Sequence, residues 1–238
     1  MPRPWRKQNT NQSLKRPLIA LAGNPNTGKS TIFNSLTGLR QHTGNWTGKT
    51  VVLAKGEYRY RGKTITLIDL PGIYSLLTSS PEEEIARDFL CFQQPEVTVV
   101  VVDSTCLERN LALFFQISEI TPSLVICLNF IDEARRKGIM INTSKLEQEL
   151  GVRVVTTAAR QGIGLQELKE AVDEILRGAF TPKPKKVNYS PELEITIRRL
   201  EAELKNQAPP NLNRWLVLRL LDGDRKLFEK LKMKERRP

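Results

Sequence analysis

The chain has 238 residues, enough for one α/β domain of ordinary size with a small appendage. Its net charge of +11 is unevenly spread: residues 1–17 hold five basic and no acidic side chains, residues 18–182 hold 17 basic and 18 acidic, and residues 183–238 hold 15 basic and eight acidic. No apolar run approaches the length of a transmembrane helix and the N-terminus carries no hydrophobic signal region, so a soluble chain with a near-neutral core and basic ends is expected.

Basic ends suit RNA or an anionic membrane face, and equally a solvated tail. The three cysteines, Cys91, Cys106 and Cys127, lie in apolar segments without C-x-x-C spacing, which reads as reduced core thiols of a cytoplasmic protein. His42 is the only histidine, so no local zinc site of mixed His and Cys ligands can form.

In chain order, residues 1–17 lack apolar periodicity and read as a disordered basic arm. Leu18–Ala22 is a short apolar run fit for a buried strand. The stretch GNPNTGKS follows, comprising Gly23, Asn24, Pro25, Asn26, Thr27, Gly28, Lys29 and Ser30, and it fits the G-x-x-x-x-G-K-[ST] phosphate-binding loop. Thr31 and the residues after it continue as a helix with Ile32, Phe33 and Leu36 available for packing. Strand, glycine loop and helix start would turn a row of backbone N–H groups toward one anion. Lys29 would reach the β- and γ-phosphates of a nucleoside triphosphate, and the Ser30 hydroxyl would hold Mg²⁺.

Arg40 to Thr50 is polar and glycine-rich, and predicts a loop over the nucleotide without regular structure. Val51–Tyr60 and Lys63–Asp69 predict two strands joined through Arg61-Gly62 in a hairpin. Ser80 is placed as the N-cap of a helix, with Pro81 in its first turn and Glu82, Glu83 and Glu84 behind it. Beyond this the alternation is regular, with strands at 97–102, 123–129 and 153–157 and helices at 107–119, 143–150 and 165–176. The fold class expected is therefore α/β: a P-loop domain over 18–180 with a mostly parallel sheet covered by helices on both faces. Residues 181–190 read as a linker, and 191–238 as a small helical domain that leans on the main one.

Further polar motifs fall at predicted strand ends, where ligands of such sheets bind. Asp69-Leu70-Pro71-Gly72 offers a carboxylate to a Mg²⁺-bound water and a glycine N–H to a γ-phosphate; alone it is an ordinary Asp turn. Asn129-Phe130-Ile131-Asp132 supplies a carboxylate that can accept from N1–H and N2–H₂ of guanine, whereas adenine carries an acceptor at N1 and nothing at C2. Such a bidentate pair is worth about 1–3 kcal/mol of discrimination. Ala158, Ala159 and Arg160 follow the next strand, where backbone N–H groups would meet the guanine carbonyl oxygen. Four signals in this order make a guanine-nucleotide switch domain.

On these residues, with Gly44-Asn45-Trp46-Thr47-Gly48-Lys49-Thr50 and Arg214-Trp215-Leu216, the chain resembles the cytoplasmic N-terminal GTPase region of the ferrous iron transport protein B (FeoB) family, over roughly residues 17 to 224. The resemblance implies a potassium-stimulated, Mg²⁺-dependent GTPase at the cytoplasmic side of the bacterial inner membrane. Its partners would be an iron-permeating transmembrane region and an anionic membrane face, with no nucleic acid. It implies Thr50 as a second Mg²⁺ ligand beside Ser30 and Asp69. It also implies Asn26 as a potassium ligand, with the Gly44 to Trp46 backbone completing the ion's shell. Lys29, Asn26, Thr50 and Gly72 would then carry hydrolysis. Departures are Thr47 for the commoner proline, Lys49 for valine and Ala158 for serine; Ile73, where other GTPases place glutamine, fits the family. Two other readings fit less well. A ribosome-assembly GTPase would append a G-x-x-G RNA-binding loop that residues 183–238 lack, and a non-enzymatic adaptor would not need Lys29, Ser30, Thr50 and Asp69 together.

Overall fold

The computed structural model describes residues 16–38, 41–45, 52–77, 80–204 and 214–224. In chain order the elements are β1 (Leu18–Gly23), α1 (Lys29–Thr37), β2 (Gln41–Asn45), β3 (Val52–Tyr60), β4 (Lys63–Asp69), α2 (Pro81–Gln93), β5 (Val97–Asp103), α3 (Leu107–Ser118), β6 (Leu124–Asn129), α4 (Ile131–Arg136), α5 (Thr143–Leu150), β7 (Arg153–Thr156), α6 (Leu165–Leu176), α7 (Pro191–Leu204) and α8 (Arg214–Leu221). A single 3₁₀ turn, Ala159–Gln161, lies between β7 and α6.

The strands form one seven-stranded sheet in the order β2-β3-β4-β1-β5-β6-β7. From β4 to β7 every pairing is parallel; β2 and β3 add an antiparallel edge. β1 lies between β4 and β5: the chain leaves it through α1 toward the β2 edge, and α2 later carries the chain past it from β4 to β5 in the opposite direction. That reversal opens a crevice at its carboxyl end, where the phosphate-loop sequence begins.

Alternate residues of each strand feed two cores. Ala20, Ile68, Val100, Val102 and Ile126 point to one face, beneath Phe89 of α2 and Phe114 of α3. Ile19, Leu21, Leu67, Val99 and Val125 point to the other, beneath Phe33 of α1 and Leu168 of α6. The α/β architecture expected from the sequence is therefore present. The hairpin turns on Arg61 (φ 46°) and Gly62 (φ 76°), both left-handed, as a tight two-residue turn requires. Ser80 caps α2, its Oγ accepting from Glu83 N at 3.2 Å.

Two expectations need correcting. The stretch 40–50 is not wholly irregular, because Gln41–Asn45 forms β2 and pairs from Gln41↔Gly56 to Asn45↔Val52. The free edge of β3 supplies backbone partners, and this long-range pairing overrides a weak local β propensity. Asn129 ends β6 as expected, and Asp132 falls in the first turn of α4, which follows Phe130 in a left-handed conformation (φ 61°). Cys91 and Cys127 are buried, but Cys106 is exposed just before α3. The arm residues 1–15, Arg40, residues 46–51, the Pro209-Pro210 break and everything after Asp224 lie outside the described residues.

The linker has no regular structure, yet it lies along the main domain. Lys183 N donates to Gly151 O at 2.8 Å and Lys185 N to Leu150 O at 3.0 Å. Beyond it, Trp215 and Leu216 of α8 enter the core beneath α2 and α3. Arg214 Nε lies 2.8 Å from the Glu119 carboxylate, and both side chains are at most one-tenth exposed. The pair lacks hydrogen-bond alignment, so the attraction is charge on charge. Removing one partner strands the other in the interior. Arg214→Ala is accordingly expected to destabilise the chain by about 3–5 kcal/mol, read as a lowered urea midpoint.

Candidate nucleotide-binding site

The loop starts where β1 ends. A Cβ on Gly23 would lie 2.5 Å from Val101 O, so only glycine lets β1 run this close to β5. Asn24 is buried and Asn26 takes a left-handed φ of 64°. Thr27 Oγ1 closes the turn on Asn24 O at 2.9 Å. Gly28 (φ 81°) precedes α1 with no side-chain cap, so the first amide groups of the helix have no capping side chain and can meet an anion. Lys29, Ser30 and Thr31 form its first turn.

Lys29 Nζ bonds Asp69 Oδ1, and Ser30 Oγ donates to Asp69 Oδ2 at 2.8 Å. The two motifs thus share one carboxylate. Leu70 N donates to Leu21 O at 3.0 Å and Ile73 N to Gly23 O at 3.2 Å, which lays the 69–73 turn along the loop. A Cβ on Gly72 would meet Pro25 Cα at 3.0 Å, so these two segments touch backbone to backbone. Ile73 is buried in the core and has no polar group to offer a water.

The far wall is built on Asn129. Its Nδ2 donates to Thr27 O at 2.9 Å, while Oδ1 accepts from Thr157 Oγ1 at 3.1 Å and from Ala159 N at 3.2 Å. Thr27 O can only accept and Ala159 N can only donate, so the amide orientation follows from its partners. Ile131 N donates to Thr157 O at 3.2 Å, which seats Asp132 beside the 158–160 loop. Ala158 N is engaged by Ile163 O at 3.2 Å, and Arg160 is exposed. Burial pushes the Cys127 thiol up to about 12, keeping it an inert neighbour of Thr157.

The structure therefore brings together Gly23 to Thr31, Asp69, Gly72, Asn129, Asp132 and Ala158 to Arg160. Gly44 belongs to β2, opposite Leu53. Trp46 and Thr50 lie outside the described residues, as do Thr47 and Lys49. Two residues escaped the sequence reading. Pro25 was placed in the loop but not as the seat of Gly72. Gln161, whose Nε2 donates to Asp132 Oδ2 at 2.9 Å, belongs to none of the motifs.

Comparison with known proteins identifies the family. The family profile described as ferrous iron transport protein B matches residues 17–172, and that described as FeoB cytosolic helical domain matches residues 189–237. The chain belongs to the FeoB family. A curated relative, the Fe(2+) transport protein A/Fe(2+) transporter FeoB fusion protein of Porphyromonas gingivalis, is 38% identical over 214 residues, covering 88% of this chain and 25% of that protein. The cytosolic domain of the T. maritima FeoB iron transporter in a GDP form aligns with a TM-score of 0.83 at 36% identity, covering 94% of this chain and 87% of that one. Its GMPPNP form aligns at 0.82 and 36% identity, covering 93% and 87%. The chain spans about a quarter of the length of the curated FeoB relatives it matches.

Gly28 is the position of the phosphate loop where a side chain would meet the far wall of the site. A Cβ there would lie 2.2 Å from Asn129 Nδ2, and the left-handed φ adds strain for any L side chain. Gly28→Ala is expected to weaken GDP binding by at least about a hundredfold and to lower stability by about 1–3 kcal/mol, measured by titration and by urea unfolding.

Proposed function

We propose that the chain is a GTP-binding and GTP-hydrolysing cytoplasmic domain that regulates or drives ferrous iron uptake through a membrane region outside this chain. The observation that carries the reading is the bond from Asn129 to Thr27 O. It ties the phosphate loop to the strand end that leads to Asp132, the carboxylate that would read the base. The GDP and GMPPNP forms of the FeoB structures similar to this chain support the same ligand class. Among the described residues no helix is long and apolar enough to cross a membrane, so transport would need a partner region.

In this reading Gly23 to Thr31 wrap the phosphates and Lys29 neutralises β- and γ-oxygens as water attacks the γ-phosphorus and GDP departs. Gly72, whose backbone packs against Pro25, would offer its N–H to the γ-phosphate. Ser30 and Asp69 are hard oxygen donors already in contact, which suits Mg²⁺, and Thr50 would be the further ligand. That ion supplies charge neutralisation on the phosphate oxygens. With nucleotide bound, Lys29 would turn to phosphate and Asp69 to the ion, each exchanging its present partner for another. Ile73 cannot orient the water, which leaves that task to the segment around Thr50. Asn26 is exposed at the left-handed turn, free of the core, and its amide with the Gly44 to Trp46 backbone would hold potassium. The basic ends suit an anionic membrane face, and no nucleic acid is required.

Asp132→Asn exchanges an acceptor for a donor. It is expected to lower GTP affinity by about 1–3 kcal/mol while raising that for xanthosine triphosphate. Competition binding checks this, and a variant that still prefers GTP would remove the guanine reading.

Potassium gives a second measurement. A cation at the departing phosphoryl gains more in the transition state than in the ground state. An arginine there is worth about 10³–10⁵ in rate; a hydrated monovalent ion should give about tenfold to a hundredfold. GTP hydrolysis is expected to rise by that factor when sodium is replaced by potassium at constant ionic strength. Asn26→Ala should flatten the response with little change in affinity. If Asn26 only braces the loop, the substitution weakens binding in both salts and leaves the rate ratio intact.

A further inference from the structure

Besides the apolar packing of Ala158 on Ile131 and Ala134, the 158–163 loop is joined to α4 by a residue outside every motif, through the bond from Gln161 Nε2 to Asp132 Oδ2. Both ends of it stand on fixed backbone. Ala158 and Ile163 bond each other in both directions, at 3.2 and 3.3 Å, and Gln161 N donates to Ala158 O at 2.9 Å. Gly162 closes the loop at φ 72°. On the other side, the bond from Ile131 N to Thr157 O and the left-handed Phe130 fix the start of α4. Ala158 and Ala159 carry only methyl groups, so neither side chain can donate to the carboxylate.

We propose that Gln161 is a positioning residue for base recognition. Its amide holds the Asp132 carboxylate in the rotation that lets both oxygens meet one guanine edge; the proposal rests on the guanine reading above. The terminal torsion of an aspartate is broad and has no sharp preferred angle. Reading N1–H and N2–H₂ together requires the carboxylate plane to align with the base plane. A free rotor has to be ordered on binding, which lowers affinity, whereas a braced one does not. The brace leaves recognition intact, because each carboxylate oxygen has two acceptor positions and Gln161 occupies only one of four. Gln161 is exposed, so the bond contributes little to folding. Its value would appear once a base covers it and excludes water.

The test uses the chain as it stands, with dissociation constants for GDP, IDP and XDP. Inosine lacks the 2-amino group, so the ratio of GDP to IDP affinity reports whether the second oxygen is aligned. Gln161→Ala is expected to weaken GDP about 3–10-fold, the size of one ordinary hydrogen bond because the pair is solvated in the free protein, and to narrow that ratio at an unchanged urea midpoint. Gln161→Glu sets a second carboxylate against the first and should weaken GDP further. In an Asp132→Asn background, read with XDP, Gln161→Ala should cost less than twofold, because the charged partner is gone. Unchanged GDP affinity and GDP-to-IDP ratio in Gln161→Ala would overturn the proposal alone. So would an equal loss with and without Asp132, the mark of a merely structural side chain. Wild-type protein that binds GDP no better than XDP would overturn the guanine reading, and the positioning role with it.

Discussion

The Asn129 side chain is the constraint on which the rest of the site depends. Buried almost completely, it joins the phosphate loop, the end of β6 and the loop after β7 through three hydrogen bonds. A buried amide in this state cannot exchange its partners for water, so each bond fixes the position of the segment that makes it. Its own place is set by the sheet: Asn129 pairs with Asp103 in register, and Ser104 N donates to its carbonyl at 3.0 Å. Gly28 completes the constraint from the other side. The loop passes so near Nδ2 that a methyl group would not fit, and Gly28 and Asn129 therefore specify one another.

What was legible in the sequence is what local chemistry determines. Apolar runs of strand length, the Ser80 cap with its proline, the Arg61-Gly62 turn and the alternation of strand and helix each act within a few residues. Together they predict the α/β sheet. The motifs were legible for a similar reason, since each sits at a strand end and the topology draws those ends together. What escaped was set by contacts distant in sequence. β2 exists because β3 has a free edge, not because Gln41 to Asn45 favour extension. α4 begins on a left-handed phenylalanine that no propensity would place there. The bond between Gln161 and Asp132 spans 29 positions and depends on two separate loops having been fixed first. Cys106 was misread because an apolar neighbourhood in sequence is not one in space.

The helical segment poses a different physical problem. A unit of roughly fifty residues buries too little surface to stand alone. α8 meets this by lending Trp215 and Leu216 to the core of the main domain. Apolar contacts of that kind are tolerant of small rotations and do not by themselves fix an orientation. Charges are less tolerant. Arg214 lies against Glu119 just beyond α3, and Arg87 of α2, almost fully buried, lies 3.7 Å from Asp224 just beyond α8. Burying such pairs gains little net stability, because desolvation offsets the attraction, but a misplaced partner is costly. They are better read as determinants of register than of affinity.

That register places α8 on one face of the sheet only. Its partners α2 and α3 cover the layer opposite α1 and α6, and α2 is the first helix after the turn that carries Asp69 and Gly72. Burial desolvates the Glu119 carboxyl and pushes its pKa up, against the pull of Arg214 and Lys186. Arg214 must therefore stay close for the charged form to persist. A displacement of α2 moves Arg87 relative to Asp224, and one of α3 moves Glu119 relative to Arg214. Arg87 keeps Asp88 of its own helix at 2.8 Å, so a shift of α2 alone loses only the longer Asp224 pairing, whereas a shift of α3 alone separates Glu119 from Arg214. α3 and α8 are thus coupled more tightly to one another than either is to α2.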